Sequence, residues 1–222
     1  MEWLSKEDWI KNHPNNRERM KIIAETLQHQ IEPFCNEVIV AGSIRREKPI
    51  VNDIDLVAYL PYGNRSEFLD KLNKIGLKVV SFGDALKEED IMNVEFTIPL
   101  YVANNTTGKE QKGQIFCTFD VRWLGGLLLH RTGSMDFNVY MSWMAKQRGM
   151  KLSMYGLFDR EINEWLAGQE EQIFMKLHLL NVYPKNRNLG WLKKMGWWKS
   201  EHNYRDLKEM GIIPVKQDSL NL

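Results

Sequence analysis

The segment best equipped for chemistry runs from Ala41 to Tyr59, AGSIRREKPIVNDIDLVAY. A β-branched stretch ends in Gly42-Ser43, Arg45 and Arg46 follow, and Asp53-x-Asp55 opens a second β-branched stretch. Side chains two apart on a strand face the same way, so Asp53 and Asp55 set two carboxylates side by side. Such a pair repels, and desolvating it is costly unless a cation lies between the two charges. Hard oxygen ligands suit Mg2+, which keeps several waters and shares its shell with substrate phosphates. The Gly42-Ser43 turn has the complementary property. Glycine lets the backbone come close, and the amides and the Ser43 hydroxyl can donate to phosphate oxygens. Arg45 or Arg46 would add charge-assisted donors. A third carboxylate on a neighbouring strand would complete a two-metal site, and Asp120, in CTFDVRW, is the acid that falls inside a strong strand pattern downstream. Its expected roles are metal ligand and acceptor of the proton of an attacking hydroxyl.

These residues need a scaffold, and the periodicities predict one. Met20, Ile23, Ala24, Leu27 and Ile31 recur at helical steps over 17–31, and Pro33 ends the helix. EVIVAGS and IDLVAYL read as strands, Phe68 to Ile75 as a helix that stops near Gly76, and LKVVSF as a further strand. NVEFTIPLYVA and IFCTFDVRW predict a hairpin around the polar turn NNTTGKEQKGQ, with the sheet complete by Trp123. Gly125-Gly126 reads as a break. Beyond it Phe137, Tyr140, Met141, Met144 and Ala145 predict a helix up to Gly149, and EEQIFMKLHLL a short one halted near Pro184. The expected class is α+β: a mixed β-sheet with flanking helices over 17–126, then a small helical/β lobe over 127–189. An N-terminal extension (1–16) and a basic Trp/Lys-rich tail (190–222) complete the division.

The composition, 43% hydrophobic and 27% charged over 222 residues, is that of a soluble globular protein. No apolar run approaches the roughly 20 residues of a membrane span, and no signal-peptide pattern opens the chain, so a cytoplasmic, non-secreted protein without a membrane partner is expected. Cys35 and Cys117 lack zinc or disulfide spacing, and the five histidines show no ligand spacing. The net charge of +1 hides an uneven distribution. Residues 176–216 hold nine Lys or Arg against three acids, the kind of local excess that nucleic-acid binding requires. In the tail Trp191, Trp197 and Trp198 lie among Lys193, Lys194 and Lys199. They could stack on unpaired bases while the lysines meet phosphates, or pack on the second lobe.

Gly42-Ser43-x-Arg45-Arg46 with Asp53-x-Asp55 resembles the signature of the family X DNA polymerases, of the DNA polymerase beta-like type, within the nucleotidyltransferase superfamily. Asp120-x-Arg122 is similar to that family's third catalytic aspartate and nearby arginine. Thr132-Gly133-Ser134 with Phe137-Asn138 resembles its thumb motif, and EEQIFMKL through Val182-Tyr183-Pro184 to Arg187 resembles the closing helix and proline turn of the thumb. The resemblance covers about 17–187 and implies a palm, a thumb and a two-ion Mg2+ site, with Mn2+ as a possible substitute. It implies Asp53 and Asp55 on both metals, Asp120 on the catalytic one, and Ser43 and Arg46 on the triphosphate. His130, Arg131, Gly133, Ser134 and Asn138 would face the incoming nucleotide. The implied reaction is attack of a DNA primer 3′-hydroxyl on a nucleoside triphosphate with loss of pyrophosphate, in gap filling or repair, by a monomer. The rival readings are a template-independent terminal nucleotidyltransferase, or an enzyme acting on RNA, a small molecule or a protein. The chain departs from the family in two places. His130-Arg131 stands where Tyr-Phe is usual, which implies lower selectivity between sugars, and Ser142 stands where an arginine often meets the template. With some sixteen residues before the first helix, no lyase domain is expected.

Overall fold

The computed structural model describes residues 16–63, 65–82, 91–99 and 110–196. The N-terminal residues, the tip of the polar loop, and Trp197, Trp198 and Lys199 of the tail lie outside them. Helix α1 (Asn16–Ile31) is followed by β1 (Glu37–Val40), a single helical turn α2 (Gly42–Arg45) and β2 (Ile54–Tyr59). Then come α3 (Arg65–Lys74), β3 (Lys78–Phe82), β4 (Met92–Pro99) and β5 (Glu110–Thr118). These strands form one mixed sheet in the order β1-β2-β5-β4-β3, in which only the β2–β5 pair is parallel.

The alternation of the strands divides the sheet into two faces. Ile54, Leu56 and Ala58 of β2, with Ile115 and Cys117 of β5 and Met92, Val94 and Phe96 of β4, are buried in one core. The helices complete it through Met20, Ala24, Leu27 and Ile31 of α1 and Phe68 and Leu72 of α3. The other face carries Asp55 and Val57 on β2 and Gln114 and Phe116 on β5. Val57 and Phe116 belong to a smaller cluster with Leu124, Leu127 and Leu128 of α4 (Val121–Thr132). One half of that face is therefore covered by α4, and the half bearing Asp55 is not.

Two expectations are corrected here. The strand predicted through Trp123 stops at Thr118, because the Asp120 side chain accepts a hydrogen bond from Arg122 N at 2.9 Å and caps α4. Gly125-Gly126, read as a break, lies inside α4 with both residues buried. The two glycines permit close packing instead. A Cβ on Gly126 would stand 2.6 Å from Gly156 N, and one on Gly125 would run into the Gly168 carbonyl. The helix thereby lies directly on the backbone of the second lobe.

That lobe comprises α5 (Met135–Gln147), a three-stranded antiparallel sheet of β6 (Met150–Ser153), β7 (Gly156–Asp159) and β8 (Trp165–Ala167), α6 (Glu170–Lys176) and α7 (Leu189–Lys194). Phe137, Tyr140, Met141 and Ala145 of α5 meet Leu157, Ile173, Phe174 and Leu192 in its core. Trp191 is partly buried against the same core, the packing alternative of the two offered for the basic tail. Among the described residues no helix is long and apolar enough to cross a membrane.

A buried ionic triad ties the two parts together. Glu170, at the start of α6, accepts both guanidinium arms of Arg45 at 2.9 and 2.8 Å and Arg187 Nη1 at 2.5 Å. Arg45 also donates to Thr132 Oγ1 at 2.8 Å. Burial alone would raise the Glu170 carboxyl, but the hydrogen bonds and charges of Arg45 and Arg187 outweigh it and hold it below its ordinary value.

Two changes test this packing. Gly126→Ala would stabilise an exposed helix by about 1 kcal/mol. Here it is expected to destabilise the protein by about 1–3 kcal/mol through overpacking, read as a lower midpoint in urea. Glu170→Gln leaves two half-compensated buried guanidiniums, and a loss of about 3–5 kcal/mol is expected in the same assay.

Candidate active site

β1 and β2 are antiparallel neighbours, so the turn that leaves β1 returns beside the first residues of β2. Ala41 N donates to Asp55 O at 2.8 Å, and Gly42 follows at φ +60°. A side chain is disfavoured at that angle, and any Cβ on Gly42 would overlap the Asp55 carboxylate. The glycine is therefore required twice, by its own dihedral and by the acid pressed against it. Ser43 Oγ, next in the chain, is buried with no hydrogen-bond partner among the described residues. Leaving a buried hydroxyl unpaired costs about 1–3 kcal/mol, and Ser43 itself is not among the residues that line the cavity beside it.

A cavity of about 510 Å³ opens over the uncovered half of the sheet face. Arg46, Asp55, Gln114 and Phe116 line it from one side, and His130, Arg131, Gly133 and Asn138 from the α4–α5 junction on the other. Arg46 and Arg45 have different roles. Arg45 is held in the triad, whereas Arg46 lines the cavity, donating through Nη1 to Thr132 O at 2.6 Å with its buried Nε unpartnered. Arg131 lies over the Phe116 ring, 3.6 Å from its centroid, and its Nε is likewise unpartnered. Burial, helped by the adjacent Arg131 charge, lowers the His130 imidazole, so it is neutral at neutral pH with Nδ1 unpaired. Unsatisfied donors around a cavity of this size suit a small polyanion.

Two expected nucleotide contacts also have structural duties. Ser134 Oγ accepts from Phe137 N at 3.3 Å as the N-cap of α5, and Asn138 Nδ2 donates to His130 O at 2.7 Å. A Cβ on Gly133 would collide with Asn138 Oδ1. Together they fix the sharp α4–α5 turn that presents His130 and Arg131 to the cavity.

Asp120 is not brought to the site. In the parallel β2–β5 register Asp55 stands beside Gln114, and Tyr59 beside Thr118. Asp120 lies beyond that far end, six residues past Gln114, which corresponds to roughly 20 Å of extended chain. Helix α4 starts at Asp120 and runs back so that Thr132, at its other end, meets Arg45 and Arg46. The Asp120 carboxylate is instead paired with Arg122, through Nε at 2.9 Å and Nη2 at 2.5 Å, which holds it below its ordinary value. The expectation failed because the strand pattern was extended past Thr118 into a helix cap. Gln114 was missed because GKEQKGQ reads as a turn, whereas β5 begins at Glu110 and brings Gln114 into the ladder.

The family resemblance implies divalent ions, and the residues present fit only part of that expectation. Asp53 and Asp55 are close enough for the charge of one to act on the other, and Asp55 is also near Arg46 and Arg131. Two neighbouring carboxylates, of which Asp55 lines the cavity, fit one Mg2+ that takes its other ligands from water and phosphate. Among the described residues no group of three or more His, Cys, Asp or Glu side chains could hold a metal. A pair of ions bridged by three carboxylates is therefore not matched.

Burial raises the Asp55 carboxyl to about 6 from its ordinary 3.8, with the Asp53 charge adding to the effect and Arg46 and Arg131 opposing it. Between these values the folded chain holds a proton that the unfolded chain has released, so Asp55 makes stability fall as pH rises, and the penalty is complete above about 6. In metal-free buffer the stability of wild type relative to Asp55→Asn should fall by roughly 2–3 kcal/mol from about pH 4 to 7, measured by urea denaturation.

Comparison with known proteins converges on one group. The family model "DNA polymerase beta thumb" matches residues 127–188. DNA polymerase IV of Saccharomyces cerevisiae is 37% identical over 78 residues, which is 34% of this chain but only 13% of the yeast protein. Repair DNA polymerase X of African swine fever virus (strain Badajoz 1971 Vero-adapted) is 23% identical over 177 residues, 78% of this chain and 93% of the viral one. The crystal structure of Leishmania infantum polymerase beta, described as a ternary P/T complex, superposes with a TM-score of 0.62 at 17% identity, covering 78% of this chain and 76% of that one. With a mixed sheet, a second lobe that matches the DNA polymerase beta thumb over 127–188 and relatives of this kind, the chain is similar to the family X DNA polymerases.

Proposed function

We propose that this chain transfers a nucleoside monophosphate from a nucleoside triphosphate to a DNA 3′-hydroxyl, releasing pyrophosphate, in short gap filling or repair. Residues 17–126 serve as palm and 127–189 as thumb, acting as a monomer on a primer end. The observation that carries this reading is the glycine turn closed against Asp55, with the unpaired Ser43 hydroxyl next to it in the chain and two guanidiniums reaching the cavity that Asp55 lines. The repair polymerases among its relatives support the choice of DNA as acceptor.

In this reading Ser43 and Arg46 hold the triphosphate, and Gly42 allows the close approach. Asp53 and Asp55 would hold a divalent ion, which when bound acts as a Lewis acid on the phosphate oxygens. Arg131, stacked on Phe116, supplies positive charge on the side facing Arg46, and the α4–α5 turn supports the sugar and base. Rate enhancement then comes from holding reactants in line and from preset donors rather than from covalent chemistry. His130 and Arg131 offer polar atoms where a Tyr-Phe pair is usual, and a ribose hydroxyl finds partners there.

A labelled primer in gapped, template-free and single-stranded form, incubated with dNTPs or rNTPs, tests the proposal. Extension of a DNA end is expected, with rNTPs used within about tenfold of dNTPs, a difference of about 1.4 kcal/mol. Asp55→Asn should lower the rate on the order of 100-fold, while Asp120→Ala should stay within about twofold of wild type. No extension of any DNA end would overturn the DNA polymerase reading, and strong rejection of rNTPs would overturn the part assigned to His130-Arg131.

A further inference from the structure

We propose that Gln114 occupies the third ligand position of this site, so that the chain binds one nucleotide-borne divalent ion firmly and lacks the side chain that would hold a second. The inference rests on the nucleotide-binding reading above and narrows its metal requirement. It follows from the strand register. Asp55 on β2 is paired with Gln114 on β5, and Gln114 is in turn paired with Glu95 on β4. Registered neighbours on adjacent strands share a face at about 4.8 Å spacing. Asp55, Gln114 and Glu95 therefore form one row across the sheet, and the first two line the cavity.

Gln114 Nε2 donates to Glu95 Oε1 at 3.0 Å. A carboxylate only accepts, so this contact settles which end of the amide is which and leaves Oε1 as the atom able to face Asp55. An amide oxygen is a neutral ligand, weaker for a hard dication than a carboxylate, and it accepts no proton at ordinary pH. A carboxylate at 114 would put three acids in a row and demand a second cation. A glutamine divides the row and is satisfied without one. The same residue would leave the attacking hydroxyl without a carboxylate acceptor at this position, which makes it a brake on the rate as well as a limit on metal number.

The test counts Mn2+ bound to the full chain by electron paramagnetic resonance, with and without a non-hydrolysable deoxynucleoside triphosphate, for wild type, Gln114→Glu, Gln114→Asp and Gln114→Asn. Gln114→Glu preserves side-chain length and volume, and Gln114→Asn controls for shortening without charge. Wild type and Gln114→Asn are expected to bind one Mn2+ with the nucleotide. At least one acidic variant is expected to bind two, with nucleotide-free Mn2+ affinity raised by about tenfold or more and faster primer extension. Two Mn2+ on the wild-type chain with nucleotide would overturn the proposal whatever the variants do. So would acidic variants that fold, by circular dichroism, yet match wild type in Mn2+ number and affinity. Failure of the parent reading has a different signature, since wild type would then bind no nucleoside triphosphate at all.

Discussion

The contact of the Gly42 backbone with the Asp55 carboxylate is the constraint on which the site depends. It fixes the turn after β1 in a left-handed conformation, aligns β1 against β2, and places Arg46 beside the acid. No other residue type meets both the dihedral and the contact. The cost is a half-desolvated carboxylate that burial and Asp53 push toward protonation. A dication would relieve that cost, and so the electrostatics of the acid point to the same chemistry as the geometry.

The second lobe is joined to this constraint through α4. Its leucines cover half of the sheet face, its glycines bring it onto the second lobe's backbone, and its last turn is held by Arg45 and Arg46 from the glycine turn itself. Through Glu170 the same arginine reaches α6 and Arg187. Buried ionic groups of this kind add little net stability, but breaking them is expensive, so they fix relative position better than they strengthen the fold. The cavity owes its shape to that fixed position, since its two walls come from different lobes.

The relatives frame what is unusual here. A fold similar to that of polymerase beta, with a second lobe that matches its thumb, leads one to expect three carboxylates around two ions, and the described residues bring two together with an amide in the row. The basic, tryptophan-bearing end of the chain is tied in at Trp191, whose packing on the second-lobe core gives α7 a structural purpose.

Much of this protein was legible in one dimension. Local signals with short range sufficed for most elements: the helical spacing of Met20 to Ile31, the alternation of β2, the Gly42-Ser43 turn and the Asp53-x-Asp55 pair all depend on neighbours a few residues away. Register did not follow from such signals. Whether Asp120 or Gln114 stands beside Asp55 depends on where β5 begins and ends and how it slides along β2, and a strand's own alternation is compatible with several such choices. The role of Gly125-Gly126 was hidden for a similar reason, because a glycine that breaks a helix and one that lets a helix touch foreign backbone look alike until the partner is present. The sequence by itself determined which chemical groups were available and which local elements carried them. The tertiary structure alone decided which of those groups meet, since contacts between distant segments are set by packing and hydrogen-bond register rather than by spacing along the chain.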